Sequence, residues 1–411
     1  MLTPEQNDLL HKVGPGTPMG RLMRRYWHPV AAVAELDDNP VKAIRLMGED
    51  LVLFKDASGE YGLLERHCPH RRADLSYGWV EEDGGLRCSY HGWLFDTTGR
   101  CIGQPYEQIA HPEANFKDKV RATAYRVEPK AGLLWAYIGE GPAPELWDWD
   151  RYHDRGYKQV VFSEIPCNWL QCQENSIDPV HFEWLHSNQS LRREGSTEYA
   201  PTHIRIAFEE FEFGFRYFRI RTDTDEENEL WSVGRVCLWP NALYAAGHFE
   251  WRVPVDDEHT LSVGWFLDPI PGEQPFEQER IPYWHSPIVD KETGRWISSH
   301  IMNQDFIAWV GQGSVSDRWN EHLGESDRGV IMLRKQFTDD LAVVEDGGDP
   351  KGVLRDASRN DRMPLPRIRT EIGQFAPTTY PPVFPFQVDQ PEEIVREYHA
   401  LWAEYGGALA P

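Results

Sequence analysis

Two short segments, each carrying one cysteine and one histidine, constrain this chain more than any other feature of its sequence. The first pairs Cys68 with His70, and after seventeen residues the second pairs Cys88 with His91. Two thiolates and two imidazoles on paired tight loops can hold one metal assembly. Two assemblies suit this donor set: a structural zinc ion, or a [2Fe–2S] cluster in which two histidines replace two cysteines on one iron.

The order of the donors favours the cluster. Each segment pairs one cysteine with one histidine, whereas a zinc finger usually places both cysteines in one half and both histidines in the other. The motifs Cys-Pro-His-Arg and Cys-Ser-Tyr-His-Gly-Trp resemble the two cluster-binding loops of Rieske proteins. This resemblance implies a Rieske [2Fe–2S] cluster, with Cys68 and Cys88 on one iron and His70 and His91 on the other.

The other cysteines have no such partners, and we expect them to be buried thiols; they are Cys101, Cys167, Cys172 and Cys237. Six cysteines in 411 residues are too few for a disulfide scaffold. Respiratory-type Rieske domains resemble Cys-Thr-His and Cys-Pro-Cys-His, with an extra disulfide between the loops, and this sequence lacks both additional cysteines. A long chain also follows the Rieske-like segment, which an electron carrier would not need.

The turn and strand pattern predicts an α+β protein in three parts. Residues 1–25 suggest a short N-terminal helix that ends at Gly14-Pro15-Gly16 and packs on the catalytic domain. Residues 26–141 predict a small all-β Rieske domain, closed by a linker at 140–144. Residues 142–411 predict a catalytic domain, with helices flanking an antiparallel sheet in a helix-grip-like arrangement and a C-terminal extension.

Specific elements follow from the same pattern. The strands expected in the first unit are Ala43–Leu46, Leu51–Phe54 and Leu133–Ile138, and those expected in the second are Phe211–Arg221, Trp231–Leu238 and Leu261–Leu267. The helices expected in the second unit span residues 173–185, 297–312, 327–345 and 391–405. Prolines in the last 60 or so residues suggest an extended arm; they are Pro364, Pro366, Pro377, Pro381, Pro382 and Pro385.

A second group of metal-ligand residues lies near residue 180. His181 and His186 stand five residues apart among acidic neighbours, and two histidines with one carboxylate form the facial triad of non-haem Fe(II) oxygenases. The pattern Asn-x-x-Asp-x-x-His-x-x-x-x-His resembles the mononuclear-iron segment of Rieske oxygenases. In that family the third ligand is an aspartate on a helix after the sheet, often in a Glu/Gln-Asp pair. This implies Asp305, with Glu321 and Asp317 as weaker alternatives.

The spacing of the two histidines has a geometric consequence. Five residues at about 100° each place His186 about 140° around a regular helix from His181. The two rings cannot then face one metal. The spacing therefore predicts a widened turn, or a helix end between Phe182 and His186, and Pro179 weakens a regular helix further by removing one donor.

Asp178 is predicted as a catalytic residue rather than as a metal ligand. The resemblance to Rieske oxygenases implies that it links His91 of one subunit to His181 of the next. Such head-to-tail contacts close a ring, and the family expectation is a homotrimer.

Further similarity points to the phthalate dioxygenase-like branch of this family. It covers most of residues 1–340 and includes segments 1–5, 18–27 and 317–330. It implies a terminal oxygenase (alpha) subunit that uses mononuclear Fe(II) and O₂ on an aromatic carboxylic acid, by ring cis-dihydroxylation or O-demethylation of a methoxyaromatic acid, in aromatic catabolism. No nucleotide-binding fingerprint is present. The electrons therefore come from a separate NAD(P)H-dependent reductase with flavin and iron–sulfur centres, directly or through a ferredoxin.

An aromatic acid needs a cationic partner, for which arginine is best suited. Five arginines in the predicted sheet region are candidates, with solvated strand residues as the alternative: Arg205, Arg219, Arg221, Arg235 and Arg252. Three aromatic residues could form apolar walls or simply belong to the core: Trp231, Phe249 and Trp251.

Charge and hydropathy exclude several partners. With 42 Lys+Arg against 66 Asp+Glu, the net charge is −24, which repels nucleic acid and anionic membranes. No apolar run approaches the ~18–20 residues of a membrane helix, and the acidic N-terminus is unlike a targeting signal, so we expect a cytoplasmic protein. Two other classes stay open: an electron-transfer Rieske protein with a non-catalytic second domain, and a zinc-stabilised binding protein.

Overall fold

Two antiparallel sheets form the first part of the molecule. The structure is a computed structural model that describes residues 2–245, 247–368 and 387–406. A six-stranded sheet has the order β1-β10-β9-β4-β3-β2, and a four-stranded sheet runs β5-β6-β7-β8. The strands are β1 (His28–Ala32), β2 (Val41–Leu46), β3 (Glu49–Lys55), β4 (Tyr61–Glu65), β5 (Trp79–Val80), β6 (Leu86–Arg87), β7 (Leu94–Phe95), β8 (Cys101–Gly103), β9 (Ala124–Lys130) and β10 (Leu133–Tyr137).

One eight-stranded sheet forms the second part, in the order β12-β13-β14-β15-β16-β17-β11-β18. Its neighbours are antiparallel except for the parallel pair β11–β18. The strands are β11 (Tyr157–Ile165), β12 (His203–Phe211), β13 (Gly214–Arg221), β14 (Arg235–Leu238), β15 (Ala242–Ala245), β16 (His248–Pro254), β17 (Thr260–Asp268) and β18 (Tyr283–His285).

Helices pack against both parts of the molecule. Those in the described residues are α1 (Pro4–His11), α2 (Pro18–Met23), α3 (Val33–Asp38), α4 (Pro105–Ala110), α5 (Trp169–Asn175), a π-helix (Phe182–Asn188), α6 (Gln189–Arg193), α7 (Glu229–Ser232), α8 (Ile301–Val310), α9 (Arg328–Glu345) and α10 (Glu392–Glu404). The helix α5 packs on β16 and α8, and α8 also contacts the π-helix. The α+β class expected from the sequence is confirmed.

The two parts share one hydrophobic core. Trp135 on β10 meets Trp251 on β16 edge to face, with ring centroids 5.2 Å apart, a geometry worth about 0.5–1.5 kcal/mol beyond burial. A second core lies under α10, where Ile394, Tyr398 and Trp402 pack with residues of α8. All six cysteines are buried and free, as expected for the four that lie outside the Rieske-like loops.

The N-terminal prediction of one helix is incomplete. Two helices form, because Thr17 caps α2 by accepting from the Gly20 N–H at 3.1 Å. The first helix contacts α5 and α9, and Asn168 Nδ2 donates to the His11 carbonyl at 3.2 Å.

Two predicted strands also need correction. The run Phe211–Arg221 is not one strand, because a turn separates the end of β12 from Gly214. The first part of Trp231–Leu238 is helical, because Asn228 caps α7 by accepting from the Leu230 N–H at 2.9 Å.

The C-terminal predictions have a mixed outcome. The expected helix over 391–405 is present as α10, and Pro364 and Pro366 lie in chain without regular structure. The remaining prolines of the predicted arm fall outside the described residues; they are Pro377, Pro381, Pro382 and Pro385.

Candidate functional site

The two Cys/His loops repeat one backbone pattern. The Cys68 N–H donates to the Ala73 carbonyl, and the Cys88 N–H donates to the Trp93 carbonyl, both at 2.8 Å. In each loop the residue four positions after the cysteine donates back to the cysteine carbonyl, at 2.9 and 3.0 Å. The two loops are therefore matched turns that present their cysteines from equivalent positions.

The closing residue of each turn adopts a left-handed conformation. Arg72 has φ +61° and Gly92 has φ +71°, a region that favours glycine. At position 92 a Cβ would lie 3.1 Å from Cγ of Pro105, so both the backbone and the packing select glycine there.

The four donors divide by burial. Cys68 and Cys88 are 1% and 2% exposed, whereas the rings of His70 and His91 lie towards the surface, 4.5 Å apart between centroids. Trp93 stacks on His70 at 4.3 Å. Buried thiols beneath two outer imidazoles fit a [2Fe–2S] cluster with one iron on each side.

Two further observations agree with that fit. The buried His70 Nδ1 has no hydrogen-bond partner among the described residues, as expected of a nitrogen reserved for a metal. Burial, together with the neighbouring Cys88, raises the pKa of the Cys68 thiol to about 12. A bound cation would hold this thiol as a thiolate.

The second group comes together around the π-helix. His181 Nε2 lies 3.7 Å and His186 Nε2 lies 3.3 Å from Asp305 Oδ1, and the ligand atoms all lie within 4.8 Å of one another. The extra residue in the π-turn rotates His186 back toward His181, which confirms the predicted widened turn. Within the described residues, this is the only Cys/His/Asp/Glu group with such geometry.

The surroundings of this group also suit a metal ion. His186 Nδ1 lies 2.8 Å from Gln304 Oε1, whereas its buried Nε2 has no hydrogen-bond partner among the described residues. Burial opposes protonation of His186, but the adjacent Asp305 carboxylate outweighs it and raises the pKa. The site therefore attracts positive charge, and Asn175 Nδ2 donates to Asp305 Oδ1 at 3.4 Å.

The two alternative carboxylates are engaged elsewhere. Glu321 Oε2 accepts from Arg334 Nη2 at 2.9 Å, and Asp317 Oδ2 accepts from Asn320 Nδ2 at 2.6 Å. The fold thus brings Asp305, and neither alternative, to the histidines.

Asp178 lies beside the first histidine. Its Oδ2 is 3.5 Å from His181 Nδ1, and its Oδ1 accepts from the Val180 N–H at 2.7 Å. Burial would raise the pKa of Asp178, but the contact with His181 outweighs it and lowers the pKa. The carboxylate is therefore ionised, and its side chain stays 30% exposed.

A buried ion-pair network supports the helix α5, and sequence reasoning missed it. Glu174 accepts from Arg318 Nη2 at 2.9 Å and from Arg334 Nε at 2.7 Å, while Arg318 Nη1 donates to Asn7 Oδ1 at 3.0 Å. These contacts tie α1 and α9 to the helix that carries Asn175. No local signal could reveal them, because the partners lie far apart along the chain.

A pocket opens beside His181 and Asp305. Besides these two, its lining includes Asn175, Phe182, Tyr217, Arg235, Leu243, Ala245, His248, Glu250, Arg252 and Ile301.

The aromatic walls expected from the sequence lie elsewhere. Phe249 and Trp251 belong to the core, because alternate residues of a strand face opposite sides, and Trp231 packs against Arg205 near the surface.

The five candidate arginines separate by burial. Arg205 pairs with Glu226 and Arg221 with Asp223, in each case between partly or largely exposed side chains. Arg219 and Arg235 are buried, and their guanidinium carbons lie 4.5 and 4.0 Å from the centroid of the Phe182 ring. Only Arg235 and Arg252 line the pocket.

Three alternate residues of β16 form a polar row along the pocket wall. Glu250 Oε1 lies 2.7 Å from His248 Nε2, and its Oε2 lies 2.7 Å from Arg252 Nη2. Burial would raise the pKa of Glu250, but Arg252 and His248 lower it to about 2. Arg252 Nε and Nη1 are buried and have no hydrogen-bond partner among the described residues, so they can donate hydrogen bonds to a bound anion.

The comparisons with known proteins agree with this geometry. Residues 26–113 match the Rieske [2Fe-2S] domain. The chain is 53% identical over 408 residues to the 5,5'-dehydrodivanillate O-demethylase oxygenase subunit of Sphingobium sp. (strain NBRC 103272 / SYK-6), with 96% of each chain covered. It is 33% identical to the phthalate 4,5-dioxygenase oxygenase subunit of Pseudomonas putida, covering 86% of this chain and 89% of that one.

A solved structure, Pseudomonas putida CBB5 NdmA, shares the fold with a TM-score of 0.53 and 21% identity, covering 81% of this chain and 94% of that chain. Across the described residues, no helix has the length and apolar character required to cross a bilayer. The similarity to oxygenase subunits over most of the chain excludes the electron-carrier and zinc-protein alternatives. The chain therefore belongs to the Rieske oxygenases, as a terminal oxygenase subunit that uses a [2Fe–2S] cluster, mononuclear iron and O₂.

Proposed function

We propose that this oxygenase hydroxylates an aromatic carboxylic acid, and that its main reaction is O-demethylation of a methoxyaromatic acid. The 53% identity to an O-demethylase subunit over nearly the full chain favours this reaction. Ring cis-dihydroxylation is the second candidate, because the chain is also similar to a phthalate dioxygenase subunit.

One observation carries the proposal: the pocket joins the His/Asp group to a buried guanidinium. His181 and Asp305 line the same pocket as Arg252, whose Nε and Nη1 lack partners among the described residues. The charge of Arg252 is already paired with Glu250, but buried N–H donors that lack a hydrogen-bond partner are costly. A substrate carboxylate would satisfy these donors, so the pocket is complementary to an acid.

The proposed cofactor ligands are those expected from the sequence. Two groups would hold the cofactors: Cys68, His70, Cys88 and His91 for the [2Fe–2S] cluster, and His181, His186 and Asp305 for the mononuclear iron. When bound, these centres supply electron transfer and the activation of O₂. Asp178 would orient His181 through Nδ1 and connect it to His91 of an adjacent subunit.

The pocket residues would position the substrate. Arg252 would bind the carboxylate, while Phe182, Leu243 and Ile301 supply apolar contacts that exclude water from the reacting end. Because hydroxylation of the methyl group and attack on the ring need the same cofactors, the placement of the acid by Arg252 would decide between them.

The proposed organisation follows the sequence predictions. Residues 1–25 form an N-terminal segment, 26–141 the Rieske domain and 142–411 the catalytic domain. The assembly is a cytoplasmic homotrimer that receives electrons from an NAD(P)H-dependent reductase with flavin and iron–sulfur centres, directly or through a ferredoxin. The limits of the sheets, which end at Tyr137 and resume at Tyr157, support the division at the predicted linker.

A single-turnover experiment tests this function. The protein is purified anaerobically, reduced with dithionite and mixed with aromatic acids that carry a ¹³C-labelled methoxy group, and O₂ is then admitted. O-demethylation converts ArOCH₃, O₂, two electrons and two protons into ArOH, formaldehyde and water, so we expect labelled formaldehyde and loss of CH₂ from the acid. A product that gains O₂ and two hydrogens would establish the second candidate. No product from a protein loaded with both cofactors would overturn the substrate class.

A further inference from the structure

We propose that Gln304 is a positioning residue that holds His186 in one tautomer and orientation, with Nε2 directed into the ligand group. This inference rests on the iron-binding roles proposed above for His186 and Asp305. Gln304 directly precedes Asp305 on α8. One short segment would therefore supply the ligand Asp305 and also orient the ligand His186.

The orientation of the Gln304 amide follows from its two contacts. Its Nε2 donates to the Ser298 carbonyl at 3.3 Å, and a carbonyl can only accept. The oxygen Oε1 therefore faces His186, whose Nδ1 lies 2.8 Å away. Gln304 is 3% exposed, so water does not compete freely for this contact.

The tautomer of His186 follows in turn. An amide oxygen cannot donate, so the proton of the neutral imidazole must lie on Nδ1, which leaves the lone pair on Nε2. That nitrogen is 3.3 Å from Asp305 Oδ1 and has no hydrogen-bond partner among the described residues. Only this tautomer directs a lone pair of Nε2 toward the position beside Asp305 that a metal ion would occupy.

The two histidines of the group are oriented by different chemistry. His181 has the ionised, partly exposed Asp178 beside its Nδ1 at 3.5 Å, whereas His186 has a neutral, buried amide at 2.8 Å. The shorter contact lies on the histidine that the π-turn must rotate into place. We therefore expect Gln304 to matter for iron affinity, with a loss of about 10–100-fold when its acceptor is removed.

The test uses two substitutions at one position and a matched control. Gln304→Leu keeps the volume and removes the acceptor, whereas Gln304→Glu keeps an acceptor oxygen. Asn303→Leu is the control, because Asn303 is equally buried on the same helix and its amide donates to the Pro287 carbonyl at 3.2 Å, away from the ligand group.

Two readouts are made on the full chain with its cluster loaded. The first is the dissociation constant for Fe(II) at the mononuclear site, and the second is the EPR spectrum of the Fe(II) site with nitric oxide as the probe. We expect Gln304→Leu to weaken Fe(II) binding about 10–100-fold and to broaden the spectrum, Gln304→Glu to restore most of the affinity, and Asn303→Leu to match the wild type. Wild-type affinity in Gln304→Leu, or equal loss in Asn303→Leu, would overturn the proposal.

Failure of this inference is distinguishable from failure of the proposed function. If the wild type binds Fe(II) and releases formaldehyde while Gln304→Leu behaves identically, only the role of Gln304 is wrong. If the wild type binds Fe(II) at this site but does not demethylate the acids, the proposed function is wrong and the affinity comparison still decides the role of Gln304. If the wild type binds no Fe(II) there, the ligand assignment fails and the inference falls with it.

Discussion

The two candidate metal sites of this chain are built in opposite ways. The four donors of the first lie on two neighbouring loops, and each loop closes on its own cysteine through short backbone hydrogen bonds. The second joins a π-helix to α8, a helix that follows the large sheet, and it brings His186 to Asp305 because α8 packs on both α5 and the π-helix. The first site is thus mainly local, and the second depends on tertiary structure.

This difference predicts that the two sites respond separately to damage. Because the loops around Cys68 and Cys88 make their own contacts, a change near Asp305 should leave the cluster intact. The second site depends on contacts between residues that lie far apart in the sequence, including the ion pairs of Glu174 with Arg318 and Arg334. A substitution at one site can therefore be tested for its effect on the other site. The variants differ in how strongly they should reduce turnover.

The largest effect is expected from Asp305→Ala, which removes the carboxylate that joins the two histidines. We expect single-turnover product to fall below detection, because the remaining two imidazoles cannot hold the iron in its facial geometry. The visible spectrum of the cluster should not change. Asp317→Ala is the matched control, since Asp317 is exposed and contacts Asn320; normal product from Asp305→Ala would refute the ligand assignment.

Asp178→Asn should come next. It keeps the shape but removes the charge beside His181 Nδ1, and the loss of such a partner lowers activity by about 10–100-fold. We expect both metal contents to stay at the wild-type level, which separates this variant from Asp305→Ala. Normal turnover, measured with the reductase as electron source, would show that Asp178 does not connect the sites.

Arg252→Gln should mainly raise KM for the acid. Hydrogen bonds to a charged group contribute about 1.5–3 kcal/mol, or about 10–150-fold in affinity. Because Glu250 would lose its partner, the double variant Glu250→Gln/Arg252→Gln provides a charge-balanced comparison. Arg205→Gln serves as the surface control. An unchanged KM in both Arg252 variants would show that a residue other than Arg252 binds the substrate carboxylate.

Glu250→Gln should have the smallest effect on turnover, and its signature is the pH dependence of stability. The folded pKa of Glu250 is about 2, against an ordinary value of 4.5. Its ionised form therefore stabilises the fold fully above about pH 4.5, and this contribution disappears as the pH falls toward about 2. The difference in unfolding free energy between the wild type and Glu250→Gln should narrow over that window. A constant difference would mean that Glu250 is not held ionised.

The same contrast explains what the sequence could predict. The Rieske-like loops can be recognised from the sequence, because their four candidate donors lie close together along the chain. The spacing of His181 and His186 predicted a widened turn or a helix end, because a regular helix would point the two rings in different directions, and the widened turn forms as a π-helix. In contrast, Asp305 was identified by family resemblance alone, because residue type cannot choose among many carboxylates.

Other features depend on long-range packing and left no local signal. The contact between Gln304 and His186 joins segments more than a hundred residues apart, and the partners of Glu174 are similarly distant. The strand assignment at Trp231 failed for the opposite reason, because a local cap at Asn228 outweighed an alternating pattern. The sequence analysis named Arg252 but not His248 or Glu250, because only the fold shows that these alternate positions of β16 face the pocket.

The most direct test of the account is the iron and sulfide content of the wild type and of Asp305→Ala, each purified anaerobically and loaded with Fe(II). The central claim is that one chain holds two separate iron sites. It predicts about three irons and about two sulfides per wild-type chain, and about two irons and about two sulfides in Asp305→Ala with the cluster absorption preserved. Retention of the third iron in Asp305→Ala, or loss of the cluster together with it, would contradict the account.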